Sequence, residues 1–289
     1  MKTPKVPKPT IVKRKHALPR FAAESEFDRN YEEWIQFLIE PLQNRSTQII
    51  GTLLRQSYDR VVNALVLELP KAEIMKHIRL HHWFALANFV VGSGGDVGVN
   101  LTLNETTIYL PPERKRDFMG FEDWKRAFDI CLLMRDMQGL AFLSNLSEEI
   151  LKGSNQGMSE YDLAHFHFLA HFFTGGANTG ALLVDAVEKS QKPQENSTRT
   201  KYVNLIHYPQ LRLLQYIIEG DAEGFNKYLA EAIKDHKKYW ETTSLRYSSN
   251  GWFSFALTAL CAMAVDTKQF PITVESPFIP AWLIFREYE

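Results

Sequence analysis

Apolar residues recur at helical spacing along most of this chain. Phe27, Tyr31, Trp34, Ile35 and Leu38 form the first such run, which Pro41 is expected to stop. A second helix is expected over Thr47 to Leu69, with Ile50, Leu53, Leu54, Val61, Leu65 and Leu69 on one side and Pro70 closing it. A third runs from Lys71 to Val91 and breaks at Gly92-Ser93-Gly94-Gly95. The period then changes to two. Val97, Val99, Leu101 and Leu103 alternate, Ile108 and Leu110 continue after Asn104-Glu105-Thr106, and Pro111-Pro112 closes a β-hairpin. Helical period resumes at Phe121, with Trp124, Phe128, Cys131, Leu132, Met134 and Leu140. Ser159 and Asp162 read as a capping-box start for an aromatic-rich helix that Gly175-Gly176 interrupts. Thr179 to Glu188 is a further helix, and 191–200 a polar connector. From Tyr202 to Trp240, two helices meet at Glu219-Gly220-Asp221 as an αα-hairpin, with Phe225, Tyr228, Leu229 and Ile233 facing back.

The C-terminal stretch organises the rest. Trp252 to Val265 holds no charge, and Ser248-Ser249-Asn250-Gly251 before it are helix-start residues. A helix apolar nearly all round has to be covered on most sides, and this one is too short for a bilayer, which needs roughly 20 apolar residues. Asp266, Lys268 and Pro271 end it, and Pro277 and Pro280 hold the following segment extended as a strap. The pattern predicts a mainly α fold: antiparallel helical hairpins, helical-repeat-like, around a buried C-terminal helix, with one small β-hairpin. The expected domains are a basic disordered tail over 1–24 and a single helical domain over 25–289, with a possible subdivision near 191–200.

Two stretches carry a family resemblance. A Gly-Trp pair opens the apolar run, and residues 271–283 read P-I-T-V-E-S-P-F-I-P-A-W-L. This resembles the end of the immunity protein 49 family of bacterial polymorphic toxin systems, where the pattern is P-V-x-x-x-S-x-Y-L-P-x-x-L; Phe278 stands at the aromatic position. The run from Trp124 to Asp136, W-K-R-A-F-D-I-C-L-L-M-R-D, is similar to the family's Trp followed by a helix ending in Arg-Asp. The resemblance implies a cytoplasmic protein that binds the toxic domain of a cognate effector, with no catalysis and no cofactor. The Gly-Asp pattern of the αα-hairpin also resembles helical repeats of the tetratricopeptide kind, without a repeating period elsewhere.

Composition narrows the classes. Hydrophobic content of 45% over 289 residues supplies a real core. A net charge of −1 argues against bulk nucleic-acid binding. Residues 1–20 hold seven Lys/Arg, four Pro and no acid. No apolar run follows them, so no secretory signal is expected. Cys131 and Cys261 lie in apolar helical runs and read as buried thiols in a reducing cytosol.

Candidate chemistry is sparse. His77 and His81 lie one turn apart beside His82, and His167 and His171 lie one turn apart near His165 and Asp162. Imidazoles at that spacing can share a zinc ion, but neither pair carries the Glu of H-E-x-x-H, and the aromatic neighbours favour packing. Gly92 to Asp96 lacks the Lys and the strand-to-helix order of a phosphate loop, and Gly175 to Asn178 reads as a helix break rather than an anion site. No serine or cysteine nucleophile motif is present. The surface residues expected to meet a partner are Glu113, Arg114 and Arg116 beside the β-hairpin, and Glu219, Asp221 and Glu223 on the αα-hairpin. Three functions remain: a toxin-neutralising immunity protein, a helical-repeat adaptor without a toxin, and a metalloenzyme using His81, His167 and His171.

Overall fold

The computed structural model describes residues 9–25, 27, 31–44, 49–94, 98–103, 105–111, 118–153 and 157–288. In chain order the elements are β1 (Thr10–Ile11), α1 (Arg20–Ser25), α2 (Tyr31–Asn44), α3 (Ile49–Val66), α4 (Lys71–Ser93), β2 (Val99–Leu103) and β3 (Thr106–Leu110). Then come α5 (Phe121–Met134), α6 (Met137–Ser144), α7 (Glu148–Lys152), α8 (Glu160–Thr174), α9 (Thr179–Ser190) and α10 (Ser197–Tyr202). A π-helical turn (Val203–His207), α11 (Tyr208–Glu219), α12 (Ala222–Trp240), a 3-10 turn (Ser249–Gly251), α13 (Phe255–Lys268), β4 (Val274–Glu275) and α14 (Ala281–Ile284) complete the fold. It is mainly helical, as the periodicity predicts. The chain forms two compact units, one of residues 18–182 and one of residues 1–17 with 183–289. The division falls inside α9, ahead of the 191–200 connector, where Asn196 caps α10 by accepting from the Arg199 amide.

In the unit of residues 18–182, α3 and α4 pack against each other across a short link, which makes them an antiparallel hairpin. Trp34, Ile35, Leu38 and Leu42 of α2, Ile50 and Leu53 of α3, and Leu80 and Phe84 of α4 share a core with Leu103, Ile108 and Leu110 of the β-ribbon. The ribbon is antiparallel, with Leu101 opposite Ile108, so its apolar face leans on helices and its other face carries Asn100, Thr102, Thr107 and Tyr109. Pro41 does not stop α2, which runs through it. Proline has no amide hydrogen to give the carbonyl four residues back, but Phe37 there is half exposed, while Leu42 beyond is buried.

Helical period continues past Met134, but the backbone does not. Arg135 takes a left-handed conformation (φ 57°), and Asp136 starts α6 by accepting from the Gly139 amide. Ser159 and Asp162 form the expected capping box at the start of α8.

In the other unit, α13 is buried continuously from Leu257 to Ala264 and packs with α11 and α14. It starts later than the Ser248–Gly251 cluster suggests. Ser254 is its cap, accepting from the Leu257 amide, while its own amide donates to the Phe278 carbonyl at 2.8 Å. Trp252 and Phe253 ahead of it are buried but not helical in α13.

Residues 10–17 depart from the solvated arm expected over 1–24. β1 pairs in parallel with β4, and Val12 is buried. The Arg14 guanidinium donates to the Trp252 and Pro277 carbonyls and lies 4.9 Å and 4.3 Å from the ring centres of Phe253 and Phe278. Burial lowers its pKa to about 10. The Lys15 amide donates to the Glu241 carboxylate, so the basic segment finds an acidic partner within its own unit.

Candidate functional site

The expected acidic patch is exposed at the tip of the α11–α12 hairpin. Gly220 adopts a left-handed conformation (φ 74°) that ends α11, and Asp221 caps α12 by accepting from the Gly224 amide at 2.8 Å. Glu219 accepts from Gln215 Nε2 at 2.6 Å, and Glu223 is exposed in the first turn of α12. Asp221 therefore has a structural duty, whereas Glu219 and Glu223 present charge to solvent. Lys237 and Lys238 stand in the last turn of α12, the end that a helix dipole makes favourable for cations. Glu113, Arg114 and Arg116 lie outside the described residues. Beside them in sequence, Tyr109 is 59% exposed on the outer face of the ribbon.

One concavity was not foreseen. A groove of about 710 Å³ is lined by Gln194, Asn196, Thr200, Lys201, Asn204 and Lys238 among others. It borders the π-helical turn, and the sequence signal for that turn is Pro209. An α-helix would have Pro209 donate to the Leu205 carbonyl, and proline has no amide hydrogen. The helix widens instead, with the Tyr208 amide donating to Val203 five residues back.

The histidines do not converge. His77 sits among Phe27, Tyr31 and Trp34, with ring centres 5.4, 5.2 and 6.1 Å away. Among the described residues neither ring nitrogen has a hydrogen-bond partner, and burial lowers the pKa to about 3. His81 Nδ1 meets Ser57 Oγ at 3.0 Å and is likewise pushed down to about 3 by burial. His165 bonds Tyr161, His167 pairs with Glu148 at 3.0 Å on the surface, and His171 Nδ1 meets the carbonyl of His167. The set His81, His167 and His171 is thus committed to separate neighbours. Gly92 and Ser93 end α4, whereas Gly95 and Asp96 lie outside the described residues. Gly175 is a left-handed cap of α8, the plain helix break expected.

A different trio does meet. His82 on α4, Cys131 in the last turn of α5 and Asp136 at the start of α6 each place one ligating atom within 4.8 Å of the others. His82 Nε2 lies 2.9 Å from Asp136 Oδ2, and Asp136 Oδ1 accepts from the Gly139 amide at 2.9 Å. Cys131 is fully buried. Burial first, then the charges of Asp136 and Asp129, push its thiol well above the usual range, which disfavours a thiolate nucleophile. Cys261 is buried in α13 and raised by burial alone. Sequence reading missed the trio because His82 and Asp136 are 54 positions apart.

Among the described residues no helix is long and apolar enough to cross a membrane. No curated protein and no solved structure matches the chain. A family model does match, over residues 61–283, a span that takes in the Trp124 helix, the α11–α12 hairpin, buried α13 and the strap that follows it. Over most of its length, therefore, the chain belongs to the immunity protein 49 family.

Proposed function

We propose that this protein binds the toxic domain of a cognate effector in the cytoplasm of the producing cell and neutralises it by covering the toxin's active site. The observation that carries this reading is the family match over residues 61–283. Occlusion asks only for a surface that keeps its shape, since a preformed surface loses little freedom on binding. Helical hairpins with capped turns and buried cores meet that need. The proposed contacts are Glu113, Arg114 and Arg116, which follow the β-ribbon in sequence, and the acidic tip of Glu219, Asp221 and Glu223. The exposed carboxylates at the tip favour a basic partner surface and would act mainly on the rate of encounter.

The test is co-expression with the toxin domain encoded next to this gene. Growth should be restored by the wild-type chain. Full toxicity despite soluble expression would refute the reading. A second chain carrying Glu219→Gln, Asp221→Asn and Glu223→Gln keeps the size of each side chain, and Asn still caps α12. It should associate with the toxin more slowly at low salt than wild type, and equal association rates would remove the tip from the interface.

A further inference from the structure

We propose that His82, Cys131 and Asp136 form a binding site for a zinc-class divalent metal ion, outside the toxin-facing role. Three ligating groups of three kinds come from three separate elements and meet within 4.8 Å. Imidazole, thiol and carboxylate together suit zinc and its neighbours rather than magnesium or calcium, which take oxygen ligands. Metal–ligand distances of about 2.0–2.3 Å in a tetrahedral site set the ligands roughly 3.3–3.8 Å apart. The His82–Asp136 contact of 2.9 Å has to open by about half an ångström to admit the ion.

The surroundings favour a ligand set over an ordinary His–Asp pair. A His–Asp pair needs no thiol beside it and no gap in the wall. Here the wall is Gly139, where a Cβ would come within 3.0 Å of Cys131 Sγ, beside the close approach to Asp136 Oδ2 that an aspartate cap imposes, as at Gly224 and Asp221. The missing side chain keeps open the space between those two atoms. Asp136 is held from behind by the Gly139 amide, and its own amide donates to the Cys131 carbonyl at 2.9 Å. Such partners fix the direction of a ligand before the ion arrives. The Cys131 thiol is the fully buried floor, while the side chains of His82 and Asp136 are 18% and 25% exposed. That leaves the outer, fourth position to water. On binding, the thiol gives its proton to solvent and sulfur coordinates as thiolate. The bound ion ties α4 to the α5–α6 corner.

The test uses the full chain, stripped with a chelator and titrated with Co²⁺ and then Zn²⁺. One equivalent of Co²⁺ should produce a thiolate-to-cobalt charge-transfer band, which Zn²⁺ displaces. Cys131→Ser should abolish the band. Asp136→Asn, whose amide oxygen can still cap Gly139, should keep the wild-type circular dichroism and weaken binding by at least about tenfold, the loss that even an outer partner of a ligand produces. If Cys131→Ser does not fold, His82→Gln and Asp136→Asn decide the matter by the same criterion. Wild-type protein without a one-equivalent charge-transfer band would overturn the proposal, as would binding that survives undiminished in the folded variants.

Discussion

Lowering the pH from 6.5 to 4 should sharply lower the stability of the folded chain. His77, His81 and His236 are buried, at 1%, 5% and 4% exposure, and burial depresses their pKa values to about 3, 3 and 4. His236 keeps one bond, Nε2 to the Gly251 carbonyl at 3.1 Å. Each folded value lies below the unfolded value of 6.5, so the unfolded chain takes up protons first as pH falls. The stability these neutral rings preserve is fully present above pH 6.5 and is lost below it. At pH 4 the loss is about 3 kcal/mol for each histidine. Asp123 works the other way. Burial raises it to about 6, so its protonated form favours the folded state by about 2 kcal/mol at pH 4. His77, His81 and Asp123 belong to the unit of residues 18–182 and His236 to the other, so the net loss is about 4 kcal/mol in the first and about 3 kcal/mol in the second, against about 5–15 kcal/mol for a typical domain. Urea midpoints measured across this range should fall steeply below pH 6.5, and a flat profile down to pH 4.5 would show that the three rings are not buried neutral.

Trp124→Ala should be the most damaging single truncation. The ring is fully buried, with Phe121, Phe128 and Phe166 at 6.0, 5.0 and 4.8 Å between ring centres. Its Nε1 donates to the Leu143 carbonyl at 3.0 Å, which ties α5 to α6. Truncation leaves a cavity among aromatic rings and takes a donor from a carbonyl inside the fold, at a cost of about 3–5 kcal/mol. Trp124→Phe keeps most of the volume and loses the donor, so about 1–2 kcal/mol is expected. Equilibrium unfolding in urea measures both. A Trp124→Ala change under about 1 kcal/mol would mean that the α5–α6–α8 aromatic cluster is not a packed core.

Local chemistry was legible wherever one residue decides a local geometry. Gly220 followed by Asp221 marks the α11–α12 turn, because a left-handed residue and a cap are needed side by side. Ser159 with Asp162 marks the start of α8, and the alternation from Val99 to Leu110 marks the ribbon. Sequence reading went astray where distant packing overrides a local signal. Pro41 reads as a stop, yet α2 continues to bury Leu42. Arg135 carries no local sign of a left-handed backbone, since the position would suit glycine. Ser254 wins over Ser248 and Asn250 as the cap of α13 because the Phe278 carbonyl and the Arg14 guanidinium, both far away in sequence, hold the segment before it.

The same limit governs the candidate sites. The acidic tip was visible because its residues are adjacent in sequence. The His82–Cys131–Asp136 trio was not, because helical period runs through Cys131 and Asp136 without the Arg135 break and says nothing of which helices meet. Cys131 reads as one more apolar position in α5, and His82 as a neighbour of His77 and His81 rather than of Asp136.

The most direct test of toxin neutralisation by occlusion is a titration of the purified toxin domain's activity with this protein. Activity should fall linearly to zero at one equivalent, as a tight stoichiometric complex requires. Undiminished toxin activity at a large molar excess of folded protein would contradict it.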